Sequence, residues 1–560
     1  MDLIAGPNHG LGTWPARRAR ISPDHTALLD PHRSLTYAEL ADRTARYAGA
    51  LRRLGVGRGD RVAYLGVNAV EVFETFFAAW LLGAIAVPLN YRLSGAEIRY
   101  MLEDSGASVL VHSADASALV AAAVPLPGTV RHVLAVDPAD RPVEGAELEA
   151  EVAAGPTLDG EPQVSLDDPA ILLYTSGTTG RPKGAVLTHG NLTWNTINYL
   201  AHVDVLSTDR ALCIAPLFHC VGLGQVTLPT LFKGGSVELV PKVDPGLVLE
   251  RVSAARITSF SAVPTMLQMM CEHPAWDAAD LSSLAVVQYG GSPVQERVAR
   301  AWLDRGVRLL QGYGMTEASP GVYMSTHAGT AAHPTAVGVP HFFTDVALLR
   351  DGRPAPVGGE PAELVVRGPH VFAGYWNRPE DTAAGFVDEQ WFRSGDVLSV
   401  SEDGWAHVVD RVKDVYISGG ENVYPAEVEA VAVQLDAVAN CAVVGLADSR
   451  WGEVGVAYVQ LREGATLTEA ELRAHLEADL ARYKVPKYVE FVPELPRNAT
   501  GKIRRVELRH RAVEDHPAAG GHGAAEADPI ELWGRRIGRA LSLVGVVMLT
   551  AWLGFQLGWW

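Results

Sequence analysis

Between residues 37 and 82 the chain repeats one pattern: a helix-sized amphipathic run at 37–54, a strand-sized apolar run at 61–66, and a second helix-sized run at 70–82. Apolar residues recur at helical spacing in the first and last of these, and the middle one has the length of a buried strand. Alternation of this kind continues to about residue 410 and predicts an α/β fold in layers. The chain has 560 residues, 48% apolar and 20% charged, which excludes disordered, collagenous and disulfide-stapled classes. A chain this long needs more than one core. Its formal net charge of −18 repels polyanions, so no nucleic-acid partner is expected. Cys213, Cys220, Cys271 and Cys441 are widely spaced in apolar surroundings, with no ligand spacing, and read as buried free thiols.

A large layered N-terminal domain is expected over 1–410, followed by a small α+β domain over 411–513. In the second, Pro425 opens a helix, 441–444 and 456–461 read as strands, and Thr468-x-x-Glu471 caps another helix. Residues 514–539 then form a linker rich in Ala and Gly, without hydrophobic periodicity. Residues 540–560 carry no charge and as a helix would be about 31 Å long, enough to span a bilayer. Arg535, Arg536 and Arg539 precede this run, while Trp533, Trp559 and Trp560 bracket it. A transmembrane helix with the body of the protein on the cytoplasmic side is therefore the expectation. Burial of this tail against the body or in a homodimer is the alternative, and the pair Gly554 and Gly558 would assist helix pairing. The first twenty residues contain no secretory signal pattern.

The stretch richest in chemistry is Tyr174-Thr-Ser-Gly-Thr-Thr-Gly-Arg-Pro-Lys-Gly184, entered from the apolar run 170–174. Glycines at 177, 180 and 184 let backbone amides converge on phosphate oxygens, and the hydroxyls of Thr175, Ser176, Thr178 and Thr179 add donors. Lys183 supplies a cation. With no Gly-Lys-Ser/Thr triplet, the stretch is not a Walker A loop.

Four further segments follow in order: Gln311-Gly-Tyr-Gly-Met-Thr-Glu317, Trp391-Phe-Arg-Ser-Gly-Asp396, Asp410-Arg-Val-Lys-Asp414 and Asn498-Ala-Thr-Gly-Lys502. With the hydroxyl-rich loop they closely resemble the adenylate-forming superfamily of acyl-CoA synthetases, luciferases and peptide-synthetase adenylation domains. The resemblance runs from about residue 35 to about 505, so it leaves out the tail.

It implies an ATP- and Mg²⁺-dependent activation of a carboxylic acid to acyl-AMP, with CoA as the thiol acceptor. Lys502 would contact the reacting carboxylate and the α-phosphate, Thr316 would donate to that phosphate, and Glu317 would hold Mg²⁺. The loop residues Thr175 to Gly180 and Lys183 would bind the polyphosphate. Gly290, Gly291 and Ser292 would lie along adenine, with Tyr313, between Gly312 and Gly314, covering its other face. Asp396 would accept from both ribose hydroxyls, supported by Arg411. Lys413 matches the hinge of a mobile C-terminal lid, and Gly419 and Gly420 match the path of pantetheine. Where the family usually has Gly before the hinge-side Arg, this chain has Asp410.

His219, in Pro216-Leu-Phe-His219, matches an aromatic gate beside the acyl pocket; read alone it also suits a core histidine. No Asp occupies 217–222, which disfavours amino acids, and Val221, Leu223 and Val226 favour an apolar acyl chain. The wording of 410–425 most resembles bacterial fatty-acid–CoA ligases, leaving aryl acids open. The expected function is thus a membrane-tethered fatty acyl-CoA synthetase. An acyl-AMP ligase loading a separate carrier protein, an aryl-CoA ligase, and a non-enzymatic adenylate-binding scaffold at a membrane are the alternatives.

Overall fold

The computed structural model describes residues 8–516 except 138, 140–142, 144, 156–157, 159–161, 176–181, 292–293, 351, 412–413, 419–420, 449–450, 481 and 499–500. The chain divides into a large unit, Met1–Lys413 with Arg497–Lys502, and a smaller one, Asp414–Pro496 with Ile503 onward. An α/β layered large unit and a small α+β unit agree with the fold class expected from sequence. The strand-sized and helix-sized runs near the N-terminus appear as Arg61–Leu65, Tyr37–Arg53 and Val70–Leu81.

Among the described residues the large unit contains three sheets. The nine-stranded sheet runs parallel from Leu309–Gly314 through Val286–Gly290, Ser259–Ala262, Arg210–Cys213 and Ser236–Leu239 to Thr26–Leu29, with antiparallel strands at both edges. The eight-stranded sheet has Arg61–Leu65, Ile85–Leu89 and Val109–His112 parallel near its centre, and Pro169–Thr175 paired antiparallel with Lys183–Thr188. One apolar cluster joins the two sheets: Val62 and Ala86 of one and Ala211 and Val237 of the other share it with Phe73, Phe76, Phe77 and Trp80. Those four rings come from the helix Val70–Leu81, which is apolar almost all round because nearly every side of it is covered. Each buried ring contributes about 1.5–3 kcal/mol. Glu74, in the same helix and 1% exposed, is paired with Arg33 at 2.5 Å and with Arg43, as a buried charge requires. The third sheet, six-stranded and antiparallel, carries Ala362–Arg367, Trp391–Val400 and Ala406–Arg411.

The small unit is built on the hairpin Val438–Asp448 and Gly452–Leu461. Alternate residues face opposite sides: Val443, Ala457 and Val459 pack with the helices Pro425–Ala432 and Glu469–Asp479, while Val444, Val456 and Tyr458 pack with Arg505–Asp515. The strand expected at 441–444 is longer than its apolar run because pairing continues through polar positions, with Asn440 donating to Gln460 at 3.1 Å. Thr468 and Glu471 form the expected capping box. The four cysteines are free; Cys213, Cys220 and Cys441 are buried and Cys271 is half-buried. No helix among the described residues is long and apolar enough to cross a membrane. The helix Arg505–Asp515 runs two residues into the linker expected over 514–539; the rest of that linker from 517 and the expected spanning helix at 540–560 lie outside the described residues.

Candidate active site

Two parallel strands, Val286–Gly290 and Leu309–Gly314, end side by side, with Gly290 opposite Gly312. A Cβ on Gly290 would stand 2.4 Å from the Gly312 carbonyl oxygen, so only glycine allows this approach, and the strand ends present bare backbone. Carboxyl ends of parallel strands are where open α/β sheets bind ligands. Gly314 is equally constrained: a Cβ there would coincide with the Pro320 carbonyl, which accepts from the Met315 amide at 3.0 Å. The chain then makes a three-residue 3₁₀ turn, Thr316–Ala318, closed by Ser319 at φ +67°. Thr316 and Glu317 are thus offered on a tight turn and do not begin an α-helix.

Around this turn the sequence-derived candidates assemble. The Tyr313 hydroxyl donates to Asp396 Oδ2 at 2.6 Å, joining the residues expected at adenine and ribose. Asp396 is 9% exposed and pairs across the sheet with Arg411. Thr316 Oγ1 lies 3.6 Å from the Cys220 sulfur. Burial, first of all, raises the Cys220 thiol to about 11, which leaves it protonated at neutral pH. His219 sits just before the short helix Cys220–Gly224, its ring 4.5 Å from Phe218, which in turn touches Tyr91 at 5.4 Å. Burial first, then the positive charges of Lys502 and Arg92, lower its imidazole to about 4. It is therefore neutral near pH 7, and its Nε2 has no hydrogen-bond partner among the described residues. Lys502, grouped with the large unit, also acts on the Cys220 thiol through its charge. Its amide donates to Asn498 Oδ1 at 2.9 Å, and the Asn498 amide donates to the Lys502 carbonyl at 2.8 Å.

The two strands that flank the expected phosphate loop are fastened to neighbouring elements. Tyr174 donates to Asp104 Oδ2 at 2.9 Å, Tyr100 donates to the Pro182 carbonyl at 3.0 Å, and Arg378 pairs with Asp104 at 2.9 Å. Thr175 stands opposite Lys183 in the stem. The Lys183 ammonium lies 2.7 Å from Asp381 and 5.6 Å from the centre of the Tyr375 ring. Ser176, Gly177, Thr178, Thr179, Gly180, Ser292, Lys413, Gly419 and Gly420 lie outside the described residues, as does the side chain of Arg411. Gly291, at φ +87°, turns the chain out of its strand.

Sequence reasoning missed three groups here: Tyr375, Asp381 and Asp104. Tyr375 donates to Glu317 Oε1 at 2.7 Å, and the Phe372 amide donates to the Glu317 carbonyl at 2.8 Å. No spacing rule marks these residues, because their partners are distant in sequence.

A family model described as AMP-binding enzyme matches residues 15–376, and one described as AMP-binding enzyme C-terminal domain matches 427–502. Feruloyl-CoA synthase from Amycolatopsis sp is 51% identical over 505 residues, covering 90% of this chain and 99% of that protein. Long-chain-fatty-acid–CoA ligase FadD13 from Mycobacterium tuberculosis is 35% identical over 509 residues, covering 90% and 98%. Among solved structures, an anthranilate CoA ligase in complex with anthranoyl-AMP superposes with a TM-score of 0.83 at 27% identity, covering 90% of this chain and 97% of the other. The chain therefore belongs to the AMP-binding enzyme family, as an acid–thiol ligase that works through an adenylate.

Proposed function

We propose that this protein activates an aromatic carboxylic acid with ATP and transfers the acyl group to CoA. The observation that carries the reading is the side-by-side ending of strands Val286–Gly290 and Leu309–Gly314, which leaves bare backbone beside the Tyr313–Asp396 pair and the Thr316–Glu317 turn. A flat base, a vicinal diol and a phosphate chain match these three surfaces in turn.

In the first half-reaction the substrate carboxylate attacks the α-phosphorus and pyrophosphate leaves; in the second the CoA thiol attacks the acyl carbon and AMP leaves. Negative charge gathers on the α-phosphoryl oxygens in the first step, so positioned donors and cations matter more than acid–base groups. Lys502 and the Thr316 hydroxyl supply these, while Lys183 meets the outer phosphates. Asp396, oriented by Tyr313, accepts from the ribose hydroxyls. Glu317 suits Mg²⁺ as a hard carboxylate oxygen donor. An ion held by one carboxylate and substrate phosphates is how Mg²⁺ is usually bound. When bound it neutralises the polyphosphate. For the second step, the resemblance implies a hinge at Lys413 and a pantetheine path along Gly419 and Gly420.

Support for an aromatic acid comes from the 51% identity to a feruloyl-CoA synthase, against 35% to a long-chain fatty-acid ligase. The Tyr91, Phe218 and His219 rings add an aromatic surface at the expected acyl gate. This ordering reverses the one drawn from the 410–425 wording. Pyrophosphate release and thioester formation, measured with hydroxycinnamates, benzoates and C8–C16 fatty acids, test it. Hydroxycinnamates at least tenfold ahead in kcat/KM are expected, on the order of 1.4 kcal/mol of discrimination. A preferred fatty acid would reverse the substrate assignment, and no pyrophosphate with any acid would end the reading. The apolar segment 540–560 is proposed as a membrane anchor, and truncation after residue 516 should release the protein from membranes.

A further inference from the structure

Of the residues that no motif singled out, Tyr375 touches the most chemistry. It lies on the two-residue strand Gly374–Tyr375, which pairs antiparallel with Lys183–Thr188, placing Tyr375 opposite Ala185. The Trp376 amide donates to the Gly184 carbonyl at 2.7 Å, so this strand is fastened to the outgoing stem of the phosphate loop. From there the side chain reaches both halves of the site. Its hydroxyl donates to Glu317 Oε1 at 2.7 Å, and its ring lies beneath the Lys183 ammonium at 5.6 Å. The backbone on either side is held as well: the Phe372 amide donates to the Glu317 carbonyl at 2.8 Å, and the Tyr375 amide donates to Thr382 Oγ1 at 2.9 Å. The Phe372 ring packs edge-on against Tyr375 at 4.9 Å.

We infer that Tyr375 is a positioning residue that sets the plane of the Glu317 carboxylate for the divalent cation accompanying ATP, and so couples that carboxylate to the phosphate-loop lysine. The inference rests on the adenylation reading above. The Tyr375 hydroxyl bound to one oxygen of Glu317 restricts rotation of that carboxylate about its side-chain torsions. Outer partners of metal-binding carboxylates govern affinity in this way, at about 10–100-fold per partner.

The experiment compares wild type, Tyr375→Phe and Glu317→Gln by calorimetric titration of ATP at a series of Mg²⁺ concentrations, without acid or CoA. Phe keeps the ring beside Lys183 and removes only the hydroxyl. The Mg²⁺ concentration giving half-maximal ATP affinity should rise about tenfold in Tyr375→Phe, while ATP affinity without Mg²⁺ stays within twofold of wild type. Because both residues act through one carboxylate, adding Tyr375→Phe to Glu317→Gln should change nothing further. An unshifted Mg²⁺ dependence in Tyr375→Phe, or an equal loss with and without Mg²⁺, would overturn the inference and leave the ligase assignment standing. Wild-type protein that forms no adenylate would instead remove the reading beneath it. A near-ultraviolet circular dichroism spectrum identical to wild type shows that the Phe variant is folded.

Discussion

Three histidines of the large unit are buried in neutral form, and this makes its stability fall with pH in a calculable way. His189 and His370 are 0% exposed and His341 is 4% exposed. His189 Nδ1 accepts the Leu11 amide at 3.1 Å, an acceptor role that only the unprotonated nitrogen can fill. The His341 ring meets His202 at 5.3 Å, and Gly321 is packed so closely that a Cβ there would lie 2.9 Å from His341 Nε2. Burial lowers His189 and His370 to about 4, and burial with the neighbouring His202 and His370 lowers His341 to about 3. The unfolded chain takes up these protons near pH 6.5 and the folded one does not until near pH 4. The stabilisation is complete above pH 6.5 and is lost as pH falls through that window, at up to about 1.4 kcal/mol per pH unit per histidine. Between pH 7 and pH 5 each contributes a loss of about 1.8 kcal/mol, and the three together about 5 kcal/mol. That is comparable with the whole stability of an ordinary domain. Carboxylates held low by partners, such as Asp168 with its Arg58 and Ser165 contacts, add their loss only at more acidic pH. Urea unfolding followed by tryptophan fluorescence at half-unit steps from pH 7 to 5 reads the slope. His219, also lowered to about 4 by burial, adds its own share of the slope, so His370→Gln should lower that slope by at most about a quarter whatever it does to stability at pH 7, because one titrating group of at least four is gone. A free energy independent of pH between 6.5 and 5.5, or an unchanged slope in His370→Gln, would refute the reasoning.

Lys502→Ala should slow acyl-AMP formation about 10²–10³-fold, the scale for one lost preorganised donor, while sparing thioester formation from supplied acyl-AMP; equal loss in both half-reactions counts against its role. Asp381→Asn removes the carboxylate 2.7 Å from Lys183. Since the pair is partly exposed and is worth about 0.2–1 kcal/mol, the KM for ATP should fall by up to about fivefold, and a rise would show that Asp381 aids binding. Gly290→Ala brings a methyl group within 2.4 Å of the Gly312 carbonyl. It should cost about 1–3 kcal/mol of stability and weaken ATP binding, both read by thermal unfolding with and without nucleotide.

What could be read from the letters, and what could not, follows from the range of the interactions. The layered large unit was legible because each strand and helix writes its own period: 61–66 shows a strand-sized apolar run and 70–82 a helical one, and the observed elements start at the same residues. The phosphate stem was legible for the same reason, through the apolar run that ends at Tyr174. Tyr375 was not, since a strand of two residues has no period and its bond to Glu317 spans 58 positions. Asp104 was hidden likewise: it belongs to the helix Gly95–Ser105, and only the register of the sheet brings Tyr174, 70 residues later, against it. The buried histidines fail differently. Their letters read as polar, and only packing from several segments shows that they are enclosed and neutral. The proposed preference for an aromatic acid belongs to this last class. Tyr91 and Phe218 come from separate segments and meet only in the folded chain, so the aromatic wall they form with His219 appears in neither segment alone. The apolar run after Phe218 led to the expectation of an apolar acyl site; under the proposed reading, the meeting of the rings favours a flat acid over a flexible chain, because ring-on-ring contact rewards planarity beyond area alone.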